Sequence, residues 1–339
     1  MDSSPQVRLA LPSKGHLEDE TFRFLRNCGL RVNKTNPRQY SARIPALPEV
    51  LVLFQRARDI AKSVAAGDVD LGITGYDTVY ESLGDALDEV VLVHESLGYG
   101  ECDLVVAVPD EWDTVDDLAG LAARAESEGG LRAATKHAHS TRRFFDEHGV
   151  EGIRIVSADG ALEAAPTVGY ADFIVDITTT GTTLRDNHLK PLPDGTIVEA
   201  QAVLIGNRES LERRQTVLSA TCHMLEFIEA HLQARDKYLV FANMRGGSAE
   251  EVAGRMFTQT ELGGLQGPTI SPIISPSQEG SWWAVNIVVS SEKLYRAVQQ
   301  LRAIGGSGVV ATPATYIFEE RPIRYRRLLA ELGKEEMNA

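Results

Sequence analysis

The chain has 339 residues, and at roughly 100–200 residues per domain this suggests two or three domains. Its net charge of −14, with 43% hydrophobic and 24% charged residues, excludes a general nucleic-acid coat and a polybasic membrane anchor. No run approaches the roughly 18 apolar residues of a membrane span, and MDSSPQVRLALPSKG lacks the long apolar core of a secretory signal. The three cysteines (Cys28, Cys102, Cys222) stand far apart with no CxxC pattern, so a cytoplasmic location is expected and a disulfide framework or zinc site is not.

The first half alternates short apolar runs with amphipathic stretches. VRLALP (7–12) reads as a buried strand that leads through SKG into a helical pattern. LVLFQ (51–55), DLGIT (70–74) and VVLV (90–93) read as further strands, with a helix over 58–67 ending at glycine. A second unit starts near Asp103. Its expected strands are LVVAVP (104–109), LRAAT (131–135), IRIV (153–156) and ADFIVD (171–176), and its helices cover 141–148 and 161–168. EAQAVLIG (199–206) is expected to return to the first unit, followed by one long helix over 210–233. Strands alternating with helices indicate α/β lobes with mostly parallel sheets. After Asp236 the order changes to β-α-β-β-α-β, the ferredoxin-like split βαβ, with a Ser-x-x-Glu capping box at Ser248. The expected domains are therefore 1–102 with 191–234, then 103–190, then 235–325.

The most informative stretch is ADFIVDITTTGTTL (171–184). A strand ends in a carboxylate, Asp176, and Thr178, Thr179, Thr180, Gly181, Thr182 and Thr183 lead into a helix. Outward backbone N–H groups and the helix dipole make such a turn a cradle for phosphate. Asp176 is placed to accept hydrogen bonds from ribose hydroxyls. The same composition also serves a threonine-rich N-cap with nothing bound. Upstream, Glu163 offers a second carboxylate toward a sugar, or is a solvated helix residue. In LPSKG, Lys14 and Gly15 form a strand-to-helix loop in which the lysine can contact phosphate as a point charge. Arg56 or Arg58 can grip a pyrophosphate with a guanidinium fork. Asp70 and Asp77 flank a glycine-punctuated strand end at Gly75, where a base or phosphate can approach backbone, unless the pattern is turn chemistry alone. His137 and His139 form H-x-H, but nothing nearby completes a tetrahedral set, so a solvated or phosphate-facing role is expected. Trp282 and Trp283 point to opposite strand faces, one toward the core.

Together these segments resemble the long-form ATP phosphoribosyltransferase family. The resemblance covers nearly the whole chain: LPSKG, RARDIAKSVAAGDVDLGITGYD, EAAPTVGYADFIVDITTTGTTLRDN, GPTISPI, WWAVNIVV and LRAIGGSGVVATPATYIFEE. It implies two lobes like type II periplasmic binding proteins, with the site in the cleft between them. It adds a C-terminal ACT-like regulatory domain that binds histidine, placed near Leu265–Ser271 and Val309–Thr312. The implied reaction joins ATP to 5-phosphoribosyl 1-pyrophosphate (PRPP), with Mg2+, as the first step of histidine biosynthesis. Asp176 and Glu163 would be catalytic and the 178–183 loop would hold PRPP. Lys14, Gly15, Arg56, Asp70 and Gly75 would serve ATP or pyrophosphate. The resemblance also implies AMP as an inhibitor and assembly as dimers and hexamers, with no nucleic-acid or membrane partner. Two departures are His16, where the family loop is often basic, and KHAHS (136–140), where an aromatic is common. Competing readings are a solute-binding protein, for which the 178–183 loop is unnecessary, and an amino-acid-sensing regulator, for which no basic DNA-binding face is present.

Overall fold

A computed structural model describes residues 7–36, 39–158, 160–262, 267–274 and 281–334, apart from the Asp85 side chain. Leu265 and Gln266 of the expected histidine site, and Ser275 of the TISPIIS segment, lie outside these residues.

The chain opens with β1 (Val7–Pro12), α1 (His16–Asn27), β2 (Ser41–Ile44), β3 (Leu47–Gln55), α2 (Ala57–Ala65), β4 (Leu71–Gly75), α3 (Tyr76–Leu83) and β5 (Val90–His94). It crosses into β6 (Cys102–Pro109), α4 (Leu118–Glu128), β7 (Leu131–Thr135), α5 (Ala138–Glu147), β8 (Ile153–Ser157), α6 (Ala165–Val168), β9 (Phe173–Thr178), α7 (Thr182–Asp186) and β10 (Leu189–Ala200). It then crosses back into β11 (Ala202–Asn207), α8 (Arg208–Arg213) and α9 (Gln215–Ala234). The first sheet has the order β2-β3-β1-β4-β11-β5 and the second β10-β6-β9-β7-β8. In β6, Leu104, Val106 and Val108 pack on one face with Trp112, Phe144, Phe145 and Phe173, while Val105 and Ala107 pack on the other with Leu162, Ala165 and Leu184. A sheet covered on both faces explains the unbroken apolar run LVVAV.

Several expectations are corrected. Ser41–Ile44 was not anticipated as a strand, yet it pairs antiparallel with β3. The 199–206 run is two strands, because Gln201 sits between them and hydrogen-bonds at the crossover. The 210–233 helix breaks at Arg214, whose backbone is extended (φ −111°, ψ 101°). Residues 191–200, assigned above to the first lobe, pair with β6 and belong to the second sheet.

The C-terminal module contains β12 (Lys237–Arg245), α10 (Ala249–Gln259), β13 (Thr269–Ile273), β14 (Trp282–Ser290), α11 (Ser291–Ala303) and β15 (Gly306–Pro313), with sheet order β13-β14-β12-β15. This is the ferredoxin-like arrangement. Ser248 caps α10, accepting the Glu251 N–H at 3.2 Å, while the Glu251 carboxylate accepts the Gly247 N–H at 2.8 Å. Trp283 lies against the core and donates to the Gly246 carbonyl at 2.9 Å. The compact unit runs Glu226–Arg321 rather than 235–325. The end of α9 packs into it, with Ile317 N–H on the Ala230 carbonyl and Phe227 against Phe318.

The last helix, α12 (Ile323–Glu331), belongs to the first unit. Arg324 and Arg327 hold Glu95 at 3.1 and 2.7 Å, and Arg208 reaches Glu331 at 2.8 Å. Beneath them His94 is fully buried, its Nδ1 accepting the Ser96 N–H. Burial, then the Arg324 charge, pushes its imidazole from 6.5 down to about 3. Burial pushes the Glu95 carboxyl up, but hydrogen bonds from Arg327, its own backbone and Arg324 outweigh this and hold it at about 2.

Both shifts make stability fall with acid. Folded His94 stays neutral to about pH 3, whereas the unfolded imidazole takes a proton below 6.5, so its contribution is full above 6.5 and falls toward pH 3. Glu95 acts in the same direction below 4.5. Urea unfolding of the first unit, measured from about pH 7 to 5, is expected to show this slope. His94→Asn should flatten it by up to about 1.4 kcal/mol per pH unit. An unchanged slope in that variant would contradict the assignment.

Candidate functional site

The first sheet brings four expected residues, Lys14, Gly15, Arg56 and Gly75, to one edge. β1 pairs parallel with β3 (Pro12 opposite Gln55) and with β4 (Ala10 opposite Gly72), so their carboxyl ends align. Ser13 N–H donates to the Gln55 carbonyl at 2.8 Å, tying the two loops together. Lys14 and Arg56 are exposed there, and Gly15 and Arg56 open α1 and α2 with no side-chain cap. Their helix-terminal N–H groups thus stay available to an anion. Gly75 ends β4, and a Cβ there would lie 2.3 Å from Asp77 Oδ1, so any other residue would displace that carboxylate.

Asp70 is not part of this edge. It precedes β4 at the opposite end of the strand and is fully buried. Its carboxylate accepts from Arg8 N–H (2.8 Å), Ser210 Oγ (3.0 Å) and Arg214 Nη1 (2.5 Å). A buried ion pair that pins the α8–α9 break replaces the expected ligand role.

The second sheet builds the other edge. β7 and β9 run parallel with Thr135 opposite Val175, so Lys136 and Asp176 follow side by side. Lys136 Nζ lies 3.4 Å from Asp176 Oδ1. The strand continues two residues past Asp176, to Thr178, further than expected. Thr178 Oγ1 accepts the Gly181 N–H at 2.9 Å, and Gly181 adopts a left-handed φ of 68° that opens α7. Thr180 and Thr182 share a hydroxyl hydrogen bond of 2.9 Å. Thr183 is exposed, and Thr179 Oγ1 points to the Glu101 carbonyl at 3.4 Å. α7 has only five residues, so its dipole is small. Positive charge comes instead from Arg185, which donates to the Thr180 carbonyl and the Thr182 hydroxyl at 3.1 and 3.3 Å. Glu163 sits half-buried in a short 3-10 turn, Leu162–Ala164. Leu162, Ala165 and Leu184 share one apolar cluster with Ile174, which puts Glu163 and the threonine turn on the same face of β9.

The two edges meet at the crossovers. Leu17 of α1 lies beside Gly100, and the neighbouring Glu101 receives Thr179. Burial, then the charges of Asp77 and Asp103, pushes the Cys102 thiol up to about 11, so Asp77 and the second lobe share one electrostatic environment. Sequence reading missed Lys136 and Arg185. The signal for Lys136 was its position one residue past a strand in register with β9. The expected open role of His137 is corrected: it is 4% exposed. His16 is open and lies 3.4 Å from Glu20. Among the described residues no cluster of three or more His, Cys, Asp or Glu can hold a metal ion. A groove of about 640 Å3 opens at the other end of the second sheet, where its cation, Arg132, is already held by Asp172 at 2.7 Å.

An ammonium–carboxylate pair beside a hydroxyl-rich turn suits a ribose phosphate, and basic loops on the facing edge suit a second polyanion. The architecture is that of a two-lobed α/β protein carrying a ferredoxin-like module. The family model "ATP phosphoribosyltransferase" matches residues 56–227, and "HisG, C-terminal domain" matches 234–316. The chain is 44% identical over 336 residues to ATP phosphoribosyltransferase 2, chloroplastic, of Arabidopsis thaliana, covering 97% of this chain and 81% of that protein. It is 35% identical over 325 residues to the ATP phosphoribosyltransferase of Caulobacter vibrioides, covering 94% and 95%. Among solved structures, the ATP phosphoribosyl transferase (HisG:HisZ) complex from Thermotoga maritima matches with a TM-score of 0.51 at 26% identity, covering 66% of this chain and 98% of that one. The chain belongs to the ATP phosphoribosyltransferase family, in its long form with a C-terminal regulatory domain. Its activity is the first step of histidine biosynthesis: ATP and PRPP are the substrates, and histidine regulates through the C-terminal domain.

The placement of Asp70 makes a separable prediction. Asp70→Ala removes the buried acceptor of the Arg8 N–H, the Ser210 hydroxyl and Arg214, so it should cost about 1–3 kcal/mol of stability. The KM values for ATP and PRPP should stay within about twofold in whatever fraction folds. A stable variant with a large rise in the KM for ATP would return Asp70 to the site.

Proposed function

We propose that the 178–183 turn receives the 5-phosphate of PRPP and that Asp176, with Glu163, orients the ribose hydroxyls. The single observation supporting this is the Lys136–Asp176 pair at 3.4 Å, which leads directly into the turn. Lys136, 3.4 Å from Asp176, orients its carboxylate. Arg185 lends positive charge to a turn whose own helix is too short to supply much. Thr178 shapes the turn from inside by holding Gly181, and the remaining threonines offer hydroxyl and N–H donors. On the facing edge Lys14, Gly15, Arg56 and Gly75 receive ATP or the pyrophosphate. Adenine N1 then attacks the anomeric carbon as pyrophosphate leaves. The sugar gains oxocarbenium character, which the Asp176 carboxylate stabilises. No covalent nucleophile is needed, so positioning and electrostatics carry the rate.

The family generally uses Mg2+. The described residues form no carboxylate or imidazole cage. That donor set fits an ion carried mainly by substrate oxygens and water, which would neutralise the leaving pyrophosphate. AMP inhibition and assembly as dimers and hexamers are part of the same reading. So is histidine binding within 235–325 near Ser271 and Val309–Thr312. Among the described residues no helix is long and apolar enough to cross a membrane. A cytoplasm-like, reducing compartment suits the three free cysteines.

Purified protein with ATP, PRPP and Mg2+ should generate the ultraviolet absorbance of phosphoribosyl-ATP, and histidine should suppress it. Asp176→Ala should cut kcat by a factor of about 100 or more with an unchanged melting temperature, and Lys136→Met by about tenfold. Wild-type turnover in Asp176→Ala would remove the site assignment.

A further inference from the structure

α3 is anchored in the first lobe by Val79 and Leu83, yet several of its other side chains reach the second. Tyr76 and Tyr80 pack against the second lobe's core, and the Arg143 guanidinium lies 5.2 Å from the Tyr80 ring centre. Glu81 reaches further. Its Oε1 accepts the His139 N–H at 3.1 Å, and its Oε2 accepts both the N–H and the hydroxyl of Ser140, at 2.9 and 2.8 Å. These are the first-turn N–H groups of α5, which has no side-chain cap of its own. A carboxylate from one lobe therefore caps a helix of the other, through charge-assisted bonds that also suit the helix dipole.

The capped corner is the one that carries the site. α5 follows directly on Lys136, the partner of Asp176. Between them His137 is buried, and neither ring nitrogen has a hydrogen-bond partner. Asp77 and Glu81 face it from α3, and Lys136 and Asp176 face it from its own lobe. Burial pushes this imidazole down from its ordinary value. An unpartnered buried ring is costly, and the three Glu81 bonds offset that cost only while the lobes are together.

We propose that Glu81 is an interlobe positioning residue for the phosphoribosyl transfer: by capping α5 across the cleft it fixes the β7–α5 corner, and with it Lys136 against Asp176. It does not touch substrate. It acts through the corner and favours the closed arrangement of the lobes. This inference rests on the site assignment of Asp176.

The test uses the full chain and four variants, Glu81→Gln, Glu81→Asp, Ser140→Ala and the double variant of Glu81→Gln with Ser140→Ala, with Asp176→Ala as a reference. Glu81→Gln should lower kcat about 10- to 100-fold, as displacements of about 1 Å do, with the KM for ATP within about twofold. Ser140→Ala should lower kcat several-fold. The double variant should be no worse than Glu81→Gln by more than about twofold, because both changes break one link. Glu81→Asp, which keeps the charge on a shorter stem, should recover part of the loss. Wild-type kcat in Glu81→Gln would overturn the proposal. So would effects that simply multiply in the double variant, or a loss explained by a lowered melting temperature. If Asp176→Ala is itself fully active, the site assignment fails first; if it is inactive while the Glu81 variants are normal, only this inference falls.

Discussion

Everything at the site depends on the chain crossing between two sheets twice, with the two crossings bonded to each other. Gln201 makes the join. Its Oε1 accepts Gly98 N–H and Ser96 Oγ–H at 2.9 and 3.1 Å, its carbonyl accepts Tyr76 N–H at 2.9 Å, and Ala202 N–H reaches the Tyr99 carbonyl at 2.9 Å. A paired crossover leaves the lobes one bending region rather than free rotation. It also turns the carboxyl ends of β1, β3 and β4 toward the ends of β7 and β9. α3, launched from the Gly75 turn at that same join, then spans to the second lobe.

This geometry resolves the conflict between a −14 chain and polyphosphate substrates. Global charge acts weakly across more than a Debye length of about 8 Å, so local donors decide binding. In the proposed site these are Lys14 and Arg56 with two uncapped helix starts on one edge, and Lys136, Arg185 and the N–H groups of the threonine turn on the other. Among these donors, Lys136 stands 3.4 Å from the Asp176 carboxylate. Asp70, a fully buried carboxylate, is instead engaged at the far end of β4 by Arg8 and Arg214.

The lobes and the module were legible because strand periodicity and the DITTTGTT turn are local signals. β1 and β7 match their expected ranges residue for residue. What escaped was set by distance in the chain. The break at Arg214 answers to Asp70, 144 residues away, and no helical pattern announces it. β10 and β11 read as one run because Gln201 interrupts them by bonding to another segment. Lys136 and Arg185 were hidden for a similar reason: one becomes functional only through a register with β9, the other by folding back over a turn whose helix proved to be five residues long. α12 has no signature apart from the Glu95 that receives its arginines.

In the proposed arrangement ribose phosphate and the second polyanion occupy opposite edges joined at Gln201. A crystal structure of the full chain with PRPP and Mg2+ is the decisive test. It should show the 5-phosphate on the N–H groups of 180–183 with Arg185 at its rim, the ribose hydroxyls on Asp176, and the pyrophosphate directed toward Lys14 and Arg56. A 5-phosphate seated on the Lys14–Arg56 edge, with the threonine turn empty, would contradict it.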